Sequence, residues 1–277
     1  MSLLQPEILG LIITMCAAGA VAGITAGLFG IGGGFVVVPA LLAVFPLFSA
    51  ADSQLIYVAI GTSLASIVVS SARSVQAHNA RGAVDFNVLR DWSMWLVLGV
   101  GVGLYIASIT DGRNLFVVFA SGVLVYSLYF LFPNLFSGFG SSLTMPRGAA
   151  KVGLASVLGG FSALLGIGGG TVTVMTMVIC NRPVHQAVAT AAGVGFIIGL
   201  PGAIGFVILG LGVEGLPFGS VGYVNVPALL AISALSLVTT PIGARWAHSL
   251  DERKLKRLFG MYLLFVSATM FYKAAML

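Results

Sequence analysis

Charge is scarce in this sequence. Only 8% of its 277 residues are Asp, Glu, Lys or Arg, against roughly 25% in a soluble domain. A buried core does not explain so wide a gap, because a soluble protein still has to coat its surface with polar groups. A bilayer does explain it. The charge-free stretches are long, covering residues 114–146, 152–181, 183–213 and 215–244. Each has room for at least one helix of the ~20 residues needed to cross the hydrocarbon. The apolar runs do not alternate with polar residues, which excludes a transmembrane β-barrel.

Other absences narrow the function. There are two cysteines, Cys16 and Cys180, both inside apolar segments. They read as small core residues, not as a disulfide or a metal pair. The net charge is +5, yet the basic residues sit in short loops and form no dense patch with interleaved aromatics, so no nucleic acid partner is expected. His-Glu-x-x-His, a pair of intramembrane Asp and Gly-x-Ser-Gly are all missing. Membrane-embedded protease chemistry is therefore not expected, nor is any other enzyme, cofactor or metal site. The opening Met-Ser-Leu-Leu-Gln-Pro-Glu lacks a positive leader, so the first apolar segment is expected to be retained.

What the chain has in abundance is apolar helix. Ten segments are predicted, at roughly 7–29, 35–49, 54–76, 88–109, 113–133, 149–166, 171–181, 186–210, 226–246 and 254–275. The second and seventh are short, the seventh reaching only ~16 Å at the helical rise, about half a bilayer.

An internal repeat organises them. Gly27-Leu-Phe-Gly-Ile-Gly-Gly-Gly34 recurs as Ala163-Leu-Leu-Gly-Ile-Gly-Gly-Gly170. Ile60-Gly-Thr-Ser63 pairs with Val188-Ala-Thr-Ala191, Gly103-Leu-Tyr-Ile-Ala107 with Gly243-Ala-Arg-Trp-Ala247, and Asp111-Gly-Arg113 with Asp251-Glu-Arg253. Order is kept, so two repeats of about five segments each are expected, over residues 1–135 and 146–277. An odd number of segments per repeat requires the repeats to insert upside down relative to each other. With both termini outside, eleven of the thirteen Lys and Arg fall on the cytoplasmic side and only Arg113 and Lys273 outside, as the positive-inside rule requires. The fold class expected is an all-α polytopic membrane protein of inverted repeats, with Gly-interrupted broken helices or hairpins. The rule does not separate those two forms.

The paired breaks are the candidate site: Gly30, Gly32, Gly33 and Gly34 in the first, Gly166, Gly168, Gly169 and Gly170 in the second. Each precedes a helix start, where unpaired N–H groups and the helix dipole favour an anion without a buried Lys or Arg. Neither run is a nucleotide loop, since no Lys-Ser/Thr follows either and neither matches G-x-G-x-x-G. Thr62, Ser63, Thr171 and Thr190 are candidate donors to anion oxygens. For Thr62, Thr171 and Thr190 the competing reading is a bond to the helix's own i−4 carbonyl. Ser66 and Ser70 read as packing residues. Gly19, Gly23 and Gly27, like Gly99 and Gly103, follow small-xxx-small spacing and read as helix-packing sites. Arg73 and Asp85 read as solvated charges that set topology.

The two Gly-Ile-Gly-Gly-Gly runs, with Phe35-Val-Val-Val-Pro39, Gly61-Thr-Ser63 and Gly82-Ala-Val-Asp-Phe86, resemble the TauE/SafE family of sulfite and organosulfonate exporters along nearly the whole chain. The resemblance implies an inner-membrane permease for oxyanions such as sulfite, sulfoacetate or related sulfonates. The second half departs from the pattern at Met175, at Thr171-Val-Thr173 and at Ala191, so the half-sites are not expected to be equivalent. The reading is a secondary transporter exporting a small anion by alternating access, located in a bacterial inner membrane with periplasmic termini. An anion channel, or a permease for other small organic anions, is the alternative. The expected partners are the anion, the bilayer and, optionally, a second copy in a homodimer.

Overall fold

A computed structural model describes residues 6–29, 33–47, 52–80, 82–132, 144–246 and 252–277. Gly30, Gly32, Arg81 and Asp251 lie outside these. Ten α-helices occur among the described residues: α1 Pro6–Phe29, α2 Gly34–Val44, α3 Leu55–Asn79, α4 Phe86–Ile109, α5 Gly112–Leu131, α6 Gly148–Leu165, α7 Gly170–Ile179, α8 Val184–Leu209, α9 Val226–Trp246 and α10 Glu252–Met276. Seven are long and apolar enough to cross a membrane. The chain is thus an all-α, multi-pass membrane protein. The second helix ends earlier than its apolar run, at Val44, where Pro46 forces a 3-10 turn over Phe45–Leu47 by withholding an N–H and crowding the preceding turn. A two-residue hairpin, β1 Ser220–Val221 with β2 Val224–Asn225, joins α8 to α9; hydropathy gave no sign of it.

The helices pack crosswise between the two parts of the chain. α1 lies along α9 and α6 along α4; α3 pairs with α8, and α5 with α10. Glycines permit the closest of these approaches. A Cβ on Gly19 would come within 2.8 Å of the Ile232 backbone, and one on Gly23 within 2.7 Å of Ser236 Cα. Gly99 and Gly103 bring α4 equally close to Ser156 and Gly160 of α6. The small-residue stripes are therefore packing faces, as their spacing predicts. Ser66 and Ser70 bond carbonyls of their own helix, also as expected.

Residues 55–64 of α3 are all buried, so this part of the helix is the hub of the bundle. α4 is peripheral. It exposes Met94, Val97, Leu98 and Val102, an apolar face suited to lipid. At one end of the bundle Lys273 Nζ donates to the Leu42 carbonyl at 2.7 Å, and Tyr223 donates to Gln54 Oε1 at 2.6 Å while stacking on Tyr57. Burial pushes the Tyr223 phenol above its usual range. The opposite end gathers Arg90, Arg147, Lys151 and Arg182 with Asp85 and Asp91.

Candidate functional site: the two glycine breaks

Each short helix begins at a glycine in the left-handed region. Gly33, with φ 75°, precedes α2, and Gly169, with φ 66°, precedes α7. Only glycine adopts this conformation without cost, and it turns the chain sharply enough for the short helix to start inside the bundle.

The breaks meet each other. A Cβ on Gly34, the first residue of α2, would strike the carbonyl oxygen of Gly166 and come within 3.2 Å of Ile167 Cα. The two runs, far apart in sequence, therefore lie at the same depth. Gly166 ends α6 in a left-handed cap, φ 63°, and its carbonyl accepts a 2.7 Å bond from Ser63 Oγ. The carbonyl end of α6 thus sits against the start of α2, an arrangement that complements the two helix dipoles. Gly168 is wedged beside Gly195 Cα and Ile67 Cγ2, each 3.1 Å from a Cβ built there.

The second break is different in kind. Thr171 Oγ1 and Ser162 Oγ are buried and have no hydrogen-bond partner among the described residues. Ser162 is fully buried, and its hydroxyl lies 3.1 Å from a Cβ built on Gly169. Two unpartnered hydroxyls therefore flank the N-terminus of α7, whose first-turn N–H groups have no intrahelical acceptor. Buried polar atoms are rarely left unsatisfied. Together they are fixed, neutral donors to which an oxyanion could present acceptors.

The remaining candidates hold helices together. Thr62 Oγ1 on α3 accepts a 2.9 Å bond from the Asn225 N–H at the head of α9. Thr190 Oγ1 on α8 accepts a 3.0 Å bond from the Asp85 N–H at the head of α4. Both capping residues then bond their own helix: Asn225 Oδ1 accepts from Ala228 N–H at 3.0 Å, and Asp85 Oδ1 from Asn87 and Val88 N–H at 3.1 and 3.2 Å. Asp85 is accordingly a partly buried cap with Arg182 3.8 Å away, not the solvated charge its loop position suggested. Sequence reasoning missed Ser162 and Asn225. Ser162 stands one helical turn before the Gly166 cap, where the first run has Ala26, and that hydroxyl difference was the available signal.

Comparison with known proteins agrees with this architecture. The family described as Sulfite exporter TauE/SafE matches residues 15–270. A probable membrane transporter protein of Haemophilus influenzae is 33% identical over 263 residues, covering 92% of this chain and 96% of that protein. Another, from Methanocaldococcus jannaschii, is 25% identical over 266 residues, with 94% and 95% covered. The probable membrane transporter protein YunE of Bacillus subtilis is 26% identical over 218 residues, with 72% and 79% covered. No solved structure matches. With the family matched across most of the chain, this protein belongs to the TauE/SafE family and is a multi-pass membrane transporter, not an enzyme.

Proposed function

We propose that the protein is a secondary transporter exporting a small oxyanion, such as sulfite, sulfoacetate or another organosulfonate, and that the anion is held at the start of α7. One observation carries this reading: two buried hydroxyls, Thr171 and Ser162, stand unpartnered among the described residues beside the uncapped N-terminus of α7 at the second glycine break. A sulfonate brings three acceptor oxygens to such donors, and its single charge suits the partial charge of the helix end. Alternating access would follow from two inverted repeats, residues 1–135 and 146–277, rocking about the shared breaks. The crosswise packing of α1 on α9 and of α6 on α4 supports that pairing.

Proteoliposome flux tests the substrate and the mechanism. Sulfite or sulfoacetate uptake should saturate and show counterflow. Competition by an organic cation with none by either anion would sink the anion assignment, and unsaturable flux without counterflow would make the protein a channel. The reading also places the protein in a bacterial inner membrane with both termini periplasmic. Single cysteines at positions 81 and 253, in a background lacking Cys16 and Cys180, should then label from one face and a cysteine at 215 from the other. Labelling of 81 and 253 from opposite faces would rule out the inverted arrangement. A homodimer completes the reading, checked by the mass of the protein in detergent.

A further inference from the structure

At the charged end of the bundle, a pocket of about 780 Å³ lies between the heads of α4 and α6 and the α7–α8 turn. Four cations line it, Arg90, Arg147, Lys151 and Arg182, against two carboxylates, Asp85 and Asp91. Both carboxylates are engaged. Asp91 Oδ2 pairs with Lys151 Nζ at 2.9 Å, and Asp85 caps α4 while facing Arg182 at 3.8 Å. Among the described residues no carboxylate pairs with Arg90 or Arg147, and both side chains are exposed. The pocket therefore keeps an uncompensated positive charge.

One part of its wall is apolar. Trp92 is buried, Trp95 is half-buried, and Met94 is 59% exposed at the rim. From Met94 the lipid-suited face of α4 continues through Val97, Leu98 and Val102. Tryptophan favours the depth of lipid headgroups. A ligand here would meet guanidinium groups at one end and an exposed hydrocarbon-compatible helix face at the other.

We propose that this pocket binds the phosphate of an anionic phospholipid, with Arg90 and Arg147 as its ligands and the acyl chains lying along α4. A free oxyanion would satisfy the arginines but leave the apolar wall and the continuing face of α4 unused. Basic pockets between membrane helices are the form in which proteins recognise acidic headgroups. The site is separate from the glycine breaks and does not depend on what the protein transports.

Lipid titration of the full-length protein in detergent tests this, read by thermal melting and by native mass spectrometry. Phosphatidylglycerol should raise the melting temperature and remain bound, while phosphatidylcholine and inorganic phosphate at equal concentration should not. Each basic residue near a membrane surface contributes roughly fivefold in lipid affinity, so Arg90→Gln with Arg147→Gln should weaken phosphatidylglycerol binding by about 25-fold. Arg113→Gln, on the first turn of α5, is the matched control and should change nothing. Should the double variant prove unstable, each single variant should show its own fivefold loss. Unchanged phosphatidylglycerol binding in the variants would overturn the proposal. Inorganic phosphate reproducing the full stabilisation would overturn the lipid assignment and make this a soluble-anion site.

Discussion

Phe35 is the second residue of α2, and Thr171 is the second residue of α7. Phe35 is almost fully buried, with its ring edge-on to Tyr126 at 4.7 Å and near Phe259 at 6.4 Å. The Tyr262 hydroxyl donates to its carbonyl at 3.5 Å. Most of α2 is buried beside it, whereas α7 buries only Gly170, Thr173 and Met177 completely. The same backbone device, a left-handed glycine ahead of a short helix, is locked by aromatic packing at one break and left with spare donors at the other. One break is a fixed strut, and the other is where the proposed function would hold the anion. Within a bilayer the strut draws on close packing, because lipid is as apolar as the core and burial alone provides little drive.

The sharpest way to break this comparison is Phe35→Ala. It should destabilise the protein by roughly 3 kcal/mol, the cost of an unfilled cavity at a buried aromatic. Thr171→Ala should barely move stability. Denaturant unfolding in mixed micelles measures both, and equal losses would erase the distinction between the breaks.

Next come the glycines. Gly33→Ala and Gly169→Ala each force a left-handed residue, about 1–2 kcal/mol. At Gly33 the new Cβ also meets the Ala22 carbonyl oxygen at 2.8 Å, a rigid backbone atom. At Gly169 the nearest atom, at 2.9 Å, is Ile198 Cδ1, the movable end of a side chain. Overpacking against the backbone should add about 1 kcal/mol at Gly33, making it the costlier site. A larger loss at Gly169 would mean that the second break is the more rigid.

Thr62→Val and Thr190→Val extend the comparison to the helix heads. Each strips the acceptor from a backbone N–H, at Asn225 and Asp85 respectively. An unsatisfied buried donor costs about 1–3 kcal/mol. Asn225 is buried and Asp85 only partly so, so Thr62→Val should cost more. The reverse order in hydrogen-exchange protection of the two helix starts would contradict this.

The smallest stability effect is expected at Ser162→Ala. Among the described residues its hydroxyl has no partner, so removal should be neutral or slightly stabilising, while oxyanion binding falls on the order of tenfold or more. Loss of stability together with unaltered binding would assign Ser162 to packing.

Much of this was legible in the residues. Charge-free runs placed ten helices, because a bilayer forbids unpaired backbone and so ties helix to hydropathy locally. Asp85 did not show as the cap of α4, which it is: a capping carboxylate and a solvated loop charge look alike in sequence. Gly19, Gly23, Gly99 and Gly103 announced packing faces by their spacing. The hairpin at 220–225 did not show, being held by the Asn225 amide bonding Phe218 O and Ser220 Oγ and by the Thr62 contact from a distant helix. Thr62 and Thr190 were equally opaque. A threonine facing its own helix and one capping another helix look the same in sequence.

By itself, then, the sequence determined the membrane fold class, the helix set, the glycine breaks ahead of the two short helices, and the inequality of the two half-sites at Thr171, all of which rest on local chemistry. Only the tertiary structure decided that Gly34 abuts Gly166, that Ser162 is left without a partner, and that Arg90 and Arg147 share a pocket. Those are contacts between segments distant in sequence, and their geometry depends on how every helix packs at once.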